Sequence, residues 1–133
     1  MKRVTGVGGV FFKSGDPERT LEWYRTHLGI DSDDWGGFVF QWRHREQPEE
    51  IGYTVWSAFP EDSKHFDPSQ QPFMVNYRVD NLVELIAALE EEGVEVCGEV
   101  EEHENGKFAW ILDTDGRKVE LWEPLPSAED PYV

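Results

Sequence analysis

Two stretches of the chain repeat one pattern of apolar and polar positions. Gly9-Val10-Phe11-Phe12-Lys13-Ser14-Gly15-Asp16 sets over Met74-Val75-Asn76-Tyr77-Arg78-Val79-Asp80-Asn81. Each is strand-like, ends in a basic residue and runs into a polar cap. Each is followed by an amphipathic segment. The first spans Pro17 to Leu28, with Asp16 as N-cap, Pro17 at the first helical position, and an apolar stripe of Leu21, Tyr24 and Leu28. The second spans Leu82 to Glu92, with Asn81 as N-cap, Glu84 in a capping-box position, and a stripe of Leu82, Leu85, Ile86 and Leu89. Side chains at this spacing share one helix face, so both stripes predict a buried side. Both helices stop at glycine, Gly29 and Gly93, where a left-handed residue closes the last turn.

The match continues downstream. Gly37-Phe38-Val39-Phe40-Gln41-Trp42 faces Lys107-Phe108-Ala109-Trp110-Ile111-Leu112. Tyr53-Thr54-Val55-Trp56 faces Val119-Glu120-Leu121-Trp122, each followed shortly by a proline, Pro60 and Pro124. Asp113-Thr114-Asp115-Gly116 predicts a turn between two strands of the second half. Each half reads strand, helix, then about three strands, which predicts an α+β fold of paired βαβββ modules. A single domain is expected over 1–126, with modules at 4–60 and 73–124 joined by a polar linker, 61–72, that contains Pro68 and Pro72. Residues 127–133 lack periodicity and are expected to form a loose tail.

This order, with Asp16-Pro17…Trp23-Tyr24…Leu28-Gly29-Ile30 and Asp113-Thr114-Asp115-Gly116…Val119-Glu120-Leu121-Trp122, resembles the vicinal oxygen chelate superfamily of glyoxalase I, bleomycin-resistance proteins and extradiol dioxygenases. The resemblance covers roughly residues 4 to 124 and is specific for fold rather than for reaction. It implies curved mixed sheets enclosing a cavity that holds a small substrate and, in many members, a divalent metal. It also implies metal ligands at four strand positions, which fall here on Gly9, Thr54, Met74 and Glu120. Only Glu120 suits a hard or borderline divalent ion: glycine has no side chain and methionine is a soft ligand. With three of the four positions lost, no metal and no other cofactor is expected.

Alternation along a strand sends every second side chain to one face. With position 74 facing the cavity, Asn76 and Arg78 face it too, and by the repeat so do Phe11 and Lys13. Thr54 and Trp56, and Glu120 and Trp122, are expected on the same inner face. The implied ligand site therefore groups Asn76, Arg78, Thr54, Trp56, Phe11, Met74 and Trp122 around Glu120, an apolar pocket with a few convergent polar groups. In such a pocket Glu120 would act as a general base with a raised pKa, or pair with Arg78 or Lys118 as a satisfied polar core. His65 in the linker and His103 in a hairpin are loop histidines placed to fold over the cavity mouth. Cys97 reads as a buried, inert thiol.

Composition narrows the partners. The chain of 133 residues carries 28 acidic against 12 basic side chains, a net charge of −16. That argues against nucleic acid and against anionic membrane surfaces, both of which select Lys and Arg. It is compatible with a solvated surface or with a high-salt source. No apolar run approaches the roughly 18 residues of a membrane span, and one cysteine excludes an internal disulfide framework. The chain therefore reads as a cytoplasmic homodimer acting on a small organic molecule, glyoxalase/bleomycin resistance-like but with an incomplete metal site, as a binding protein or as an isomerase or lyase. Two alternatives stand beside it: a metal-dependent lyase or dioxygenase using Glu120 with a loop histidine, and a non-catalytic protein that sequesters a drug or toxin.

Overall fold

The computed structural model describes residues 3–133. Its elements run β1 (Val4–Ser14), α1 (Pro17–Leu28), β2 (Gly37–Arg43), β3 (Ile51–Pro60), a single 3-10 turn (Lys64–Phe66), β4 (Phe73–Val79), α2 (Leu82–Glu91), β5 (Glu101–His103), β6 (Gly106–Leu112) and β7 (Lys118–Pro124). The strands form one mixed, open, curved sheet in the order β2-β3-β1-β4-β7-β6-β5. The two halves meet where β1 runs antiparallel to β4, and each half has one parallel pair, β1 with β3 and β4 with β7.

Both helices begin and end as their sequences dictate. The Asp16 side chain accepts from the Arg19 amide at 3.2 Å, and Asn81 accepts from the Glu84 amide at 3.3 Å. Glu84 does not close a capping box: its carboxylate accepts from the Asn81 side chain, and the Leu82 amide is taken by Glu123. Gly29 and Gly93 adopt φ of 70° and 82°, a conformation that costs any other residue a Cβ clash. The halves differ between helix and sheet. The second module is βαβββ, whereas the first has only β2 and β3 after its helix, because Ile30–Gly36 stays irregular. That segment holds Asp31, Asp33 and Asp34 and offers no alternating apolar face to bury.

Register sorts the sheet into two faces. The helix-bearing face carries Phe12 and Trp56 under Tyr24 of α1. It also carries Ala109 and Leu121, packed with Val79, Leu82, Leu85 and Ile86 around α2. The helices are unequal. Leu82 of α2 is fully buried, but α1 buries no residue and its Leu28 is 62% exposed, so the stripe expected there is not a core contact along its length. The opposite, inner face carries Phe11, Met74 and Trp110, and the linker turn seats Phe66 against them with no exposure at all.

Two expectations change here. The inner face over Phe11 and Met74 is not an open cavity, because the aromatic ring of the linker fills it. The segment after Pro126 is not loose either. Asp130 is buried, with the Tyr53 hydroxyl 2.8 and 3.0 Å from its two carboxylate oxygens, and the Ser127 amide donates to Glu50 at 2.9 Å. Lack of periodicity excludes a helix or strand but says nothing about docking by individual polar side chains.

Candidate functional site

Glu120 stands near the middle of β7 on the inner face, and its carboxylate is the point on which that face converges. Its strand neighbours are Asn76 on β4 and Trp110 on β6, each directly opposite in the ladder. Side chains opposite one another project to the same side, and both reach the carboxylate. Asn76 donates from Nδ2 to Oε1 at 2.6 Å, and Trp110 donates from Nε1 to Oε2 at 2.8 Å. The third partner comes from the linker: His65 Nε2 lies 3.1 Å from Oε2. Glu120 is 4% exposed, whereas the His65 side chain is 34% exposed, so the imidazole connects the buried carboxylate to solvent.

The linker sequence explains why His65 arrives there. Ser63 caps the 3-10 turn by accepting from the His65 amide, and Lys118 Nζ donates to the His65 carbonyl at 2.7 Å. Phe66 anchors the turn below, while the His65 ring stacks on Phe59 at 5.5 Å and meets the edge of Trp110 at 6.0 Å. Held on two sides by aromatic rings, the imidazole has little freedom to leave the carboxylate. His103 lies elsewhere, hydrogen-bonded to Glu101 on the exposed β5 hairpin.

Arg78, two residues along β4 from Asn76, occupies a different environment. It is 4% exposed among the rings of Trp122, Trp42 and Tyr53, at 4.8, 5.3 and 5.5 Å. Burial pushes its guanidinium pKa down, opposed by Tyr53, Asp130 and Glu50 nearby. Burial and the bond to Asp130 push the Tyr53 phenol well up. Neither Arg78 nor Lys118 pairs with Glu120: Arg78 Nη1 reaches the Tyr53 carbonyl, and Lys118 holds the linker. Burial also raises the Cys97 thiol.

Among the residues expected in the site, the structure places Asn76, Met74, Phe11, Arg78 and Trp122 on the inner face with Glu120, Phe11 and Met74 as packing under Phe66. Thr54 and Trp56 are not there. Trp56 lies on the helix-bearing face against Phe12 and Tyr24, and Thr54 donates to the Val7 carbonyl while accepting from Trp42 Nε1. The cause is register. The ladders pair Phe11 with Ser57 in the first half as they pair Asn76 with Glu120 in the second. Ser57, not Thr54, is therefore the counterpart of Glu120. A three-residue offset is odd, and an odd offset turns every side chain to the other face.

Trp110 and Tyr53 were missed as site residues. The Asp113–Gly116 turn carries the signal for Trp110, since closing that hairpin sets Trp110 opposite Glu120. Nothing in the local sequence brings Asp130 to Tyr53. With the corrected register, the positions that the superfamily uses for metal ligands hold Gly9, Ser57, Met74 and Glu120. Among the described residues no group of three or more His, Cys, Asp or Glu side chains gathers as a metal site, and both Glu120 oxygens already accept hydrogen bonds.

A family model described as Glyoxalase/Bleomycin resistance protein/Dioxygenase superfamily matches residues 8–121. Similar solved structures include a methylmalonyl-CoA epimerase in complex with methylmalonyl-CoA and NH4+, with TM-score 0.69, 16% identity, and coverage of 96% of this chain and 99% of that one. A Streptomyces coelicolor methylmalonyl-CoA epimerase variant in complex with 2-nitronate-propionyl-CoA gives 0.67 at 15% identity, covering 96% and 98%. Methylmalonyl-CoA epimerase from Mycobacterium tuberculosis gives 0.61 at 24% identity, covering 94% and 91%. At these identities the likeness is one of fold. No curated protein sequence matches this chain significantly.

Proposed function

The chain belongs to the Glyoxalase/Bleomycin resistance protein/Dioxygenase superfamily, and from that premise we propose that it acts on a small organic molecule by proton transfer through the His65–Glu120 pair. The observation that carries this reading is the pair itself: a buried carboxylate held by two fixed donors, Asn76 and Trp110, and linked through one imidazole to the surface. A carboxylate so fixed keeps its orientation while the ring beside it gains or loses a proton. This is the arrangement in which a positioned base is oriented by a third group. His65 is the group within reach of a ligand, and Glu120 sets its tautomer and orientation. The chemistry this supports is removal and return of a proton next to a carbonyl, the step shared by isomerisation and epimerisation.

The same residues do not make up a divalent-metal donor set. Gly9, Ser57 and Met74 supply no hard anionic or imidazole donor, and His65 with Glu120 falls short of the about three protein ligands that a catalytic site needs. No step here runs through a metal. The reading includes a homodimer, supported by the exposed Trp23, Leu28, Trp35 and Phe40, an excess of apolar surface in the first module. No helix among the described residues is long and apolar enough to cross a membrane.

The test is hydrogen exchange in D2O, followed by NMR, on a panel of small carbonyl compounds and thioesters. Exchange catalysed by the wild-type protein and lost in His65→Gln is the expected result. Catalysis unchanged in His65→Gln refutes the assignment. Stoichiometric binding of a panel member with no exchange shifts the function to sequestration.

A further inference from the structure

A cleft of about 720 Å³ opens between the β2–β3 connection and the start of the C-terminal segment. Its walls include Trp42, His44, Leu125 and Pro126, and Arg78 lines it as well. Arg78 is unusual for a buried cation. The only side-chain hydrogen bond it makes among the described residues is the long one from Nη1 to the Tyr53 carbonyl, at 3.4 Å, and its Nε is buried without any partner. The nearest carboxyl on the tail, that of Asp130, is engaged by the Tyr53 hydroxyl and the Tyr132 amide instead. Three aromatic rings surround the guanidinium and supply cation–π attraction. They do not supply a direct ion pair for the desolvated ion, on which Asp130 and Glu50 act only from farther off.

We propose that this cleft is a binding site for a small monocarboxylate with an aromatic or flat apolar body, the carboxylate on Arg78 and the body along Trp42. The guanidinium fork matches a carboxylate in shape and charge, and its flat π-surface keeps it in place between rings. The limit to one negative charge follows from the other side chains of the cleft. Glu50, Asp80 and Glu123 also line it, and they repel a phosphate or a dicarboxylate more than a single carboxylate. Glu50 is turned to the Ser127 amide and Glu123 to the Leu82 amide, so neither occupies the Arg78 fork, and Arg45 is a second cation of the lining. The tail completes the wall, since Ser127 and Asp130, just beyond the cleft-lining Pro126, fasten the chain there. This inference stands apart from the His65–Glu120 reading, shares no residue with it, and fails or holds separately.

The experiment titrates sodium benzoate, sodium acetate and inorganic phosphate into the full chain at constant ionic strength, by calorimetry and ligand-observed NMR. Saturable one-to-one benzoate binding is expected, with acetate weaker by about tenfold for want of a ring contact and phosphate not saturating. Arg78→Lys keeps the charge and loses the fork, so benzoate affinity is expected to drop by about tenfold. Trp42→Leu, which keeps the guanidinium fork while removing one of the rings beside it, is expected to weaken benzoate more than acetate, and so tests the site even if the Arg78 variant folds poorly. The proposal is overturned by absence of saturable benzoate binding, by phosphate binding as tightly as benzoate, or by benzoate affinity that survives Trp42→Leu and Arg78→Lys unchanged.

Discussion

Replacing Glu120 by Gln removes one charge and almost no volume, and the surrounding donors fix what that change costs. The wild-type carboxylate accepts from Asn76 on one oxygen and from Trp110 and His65 on the other. A glutamine has one acceptor, and it is best kept toward Trp110 and His65, which share an oxygen. Its amide nitrogen then faces the Asn76 amide nitrogen, donor against donor. Asn76 can relieve this by turning its own amide over, because its Oδ1 is buried and unpartnered in the native arrangement. After the turn one Asn76 N–H is unpaired in place of one oxygen, and the remaining bonds lose their charge assistance. That amounts to a loss of about 1–2 kcal/mol, partly offset because no carboxylate has to be buried. The alternative in which Glu120 neutralises a buried Arg or Lys requires about 3–5 kcal/mol for the stranded charge, and no such cation touches it here. For a chain of this length the expected fall in Tm is about 3–8 °C. Thermal denaturation of Glu120→Gln by circular dichroism, with Asn76→Asp and the double variant to complete a cycle, measures it. An unchanged Tm places the Glu120 side chain in solvent, and a loss of 3–5 kcal/mol reveals a buried cation partner. Either result refutes this account of the site.

Further outcomes follow from the same structure. Gly8→Ala is expected to destabilise by about 1–3 kcal/mol, the usual cost of overpacking, because a Cβ there would lie 2.2 Å from Asn76 Oδ1 and 2.8 Å from the Trp122 ring; chemical denaturation reads the change. Ile86→Ala is expected to cost about 2–5 kcal/mol and Leu28→Ala less than about 0.5 kcal/mol, since one is 7% and the other 62% exposed; equal losses would show that α1 is buried in solution, as it would be in a tight dimer. Tyr53 has its folded-state pKa raised by burial and by Asp130, so its contribution is intact below the ordinary phenol value of about 10 and is lost as pH rises above it. Tyr53→Phe is therefore expected to flatten the alkaline fall in stability and to free the tail for proteolysis after Pro126. Asp113 has its pKa lowered by the backbone amides of Arg117 and Asp115 and by the Arg117 side chain, so Asp113→Asn is expected to weaken the acid limb of the stability profile below about pH 4.

The parts of the site that were legible in the sequence lie on strands whose pairing is local or repeated. Asn76 and Glu120 come together because the strand following Pro72 and the strand before Pro124 alternate cleanly, and Trp110 is added by a four-residue turn. The first module was harder. Its motif Tyr53-Thr54-Val55-Trp56 looks like Val119-Glu120-Leu121-Trp122 in aromatic spacing, yet its register is set by β1 and by the long β2–β3 connection, neither of which the similarity encodes. Thr54 and Trp56 fell on the wrong face for that reason alone.

The sequence by itself determined the helices with the residues that begin and end them, all but one of the expected strands, the repeat, and the family, because hydrophobic period, N-cap chemistry and left-handed glycines act within a few residues of one another. Tertiary structure decided which face Thr54 and Trp56 occupy, that α1 is shallow while α2 is core, that Phe66 fills the inner face, that His65 reaches Glu120 and His103 does not, and that the tail locks on Tyr53. Each of these depends on contacts between residues far apart in the chain: 55 positions separate His65 from Glu120 and 77 separate Tyr53 from Asp130. Local patterns fix which way a side chain points from its own strand or turn. Which other side chain it meets there is settled only when strand register and loop path close the whole sheet.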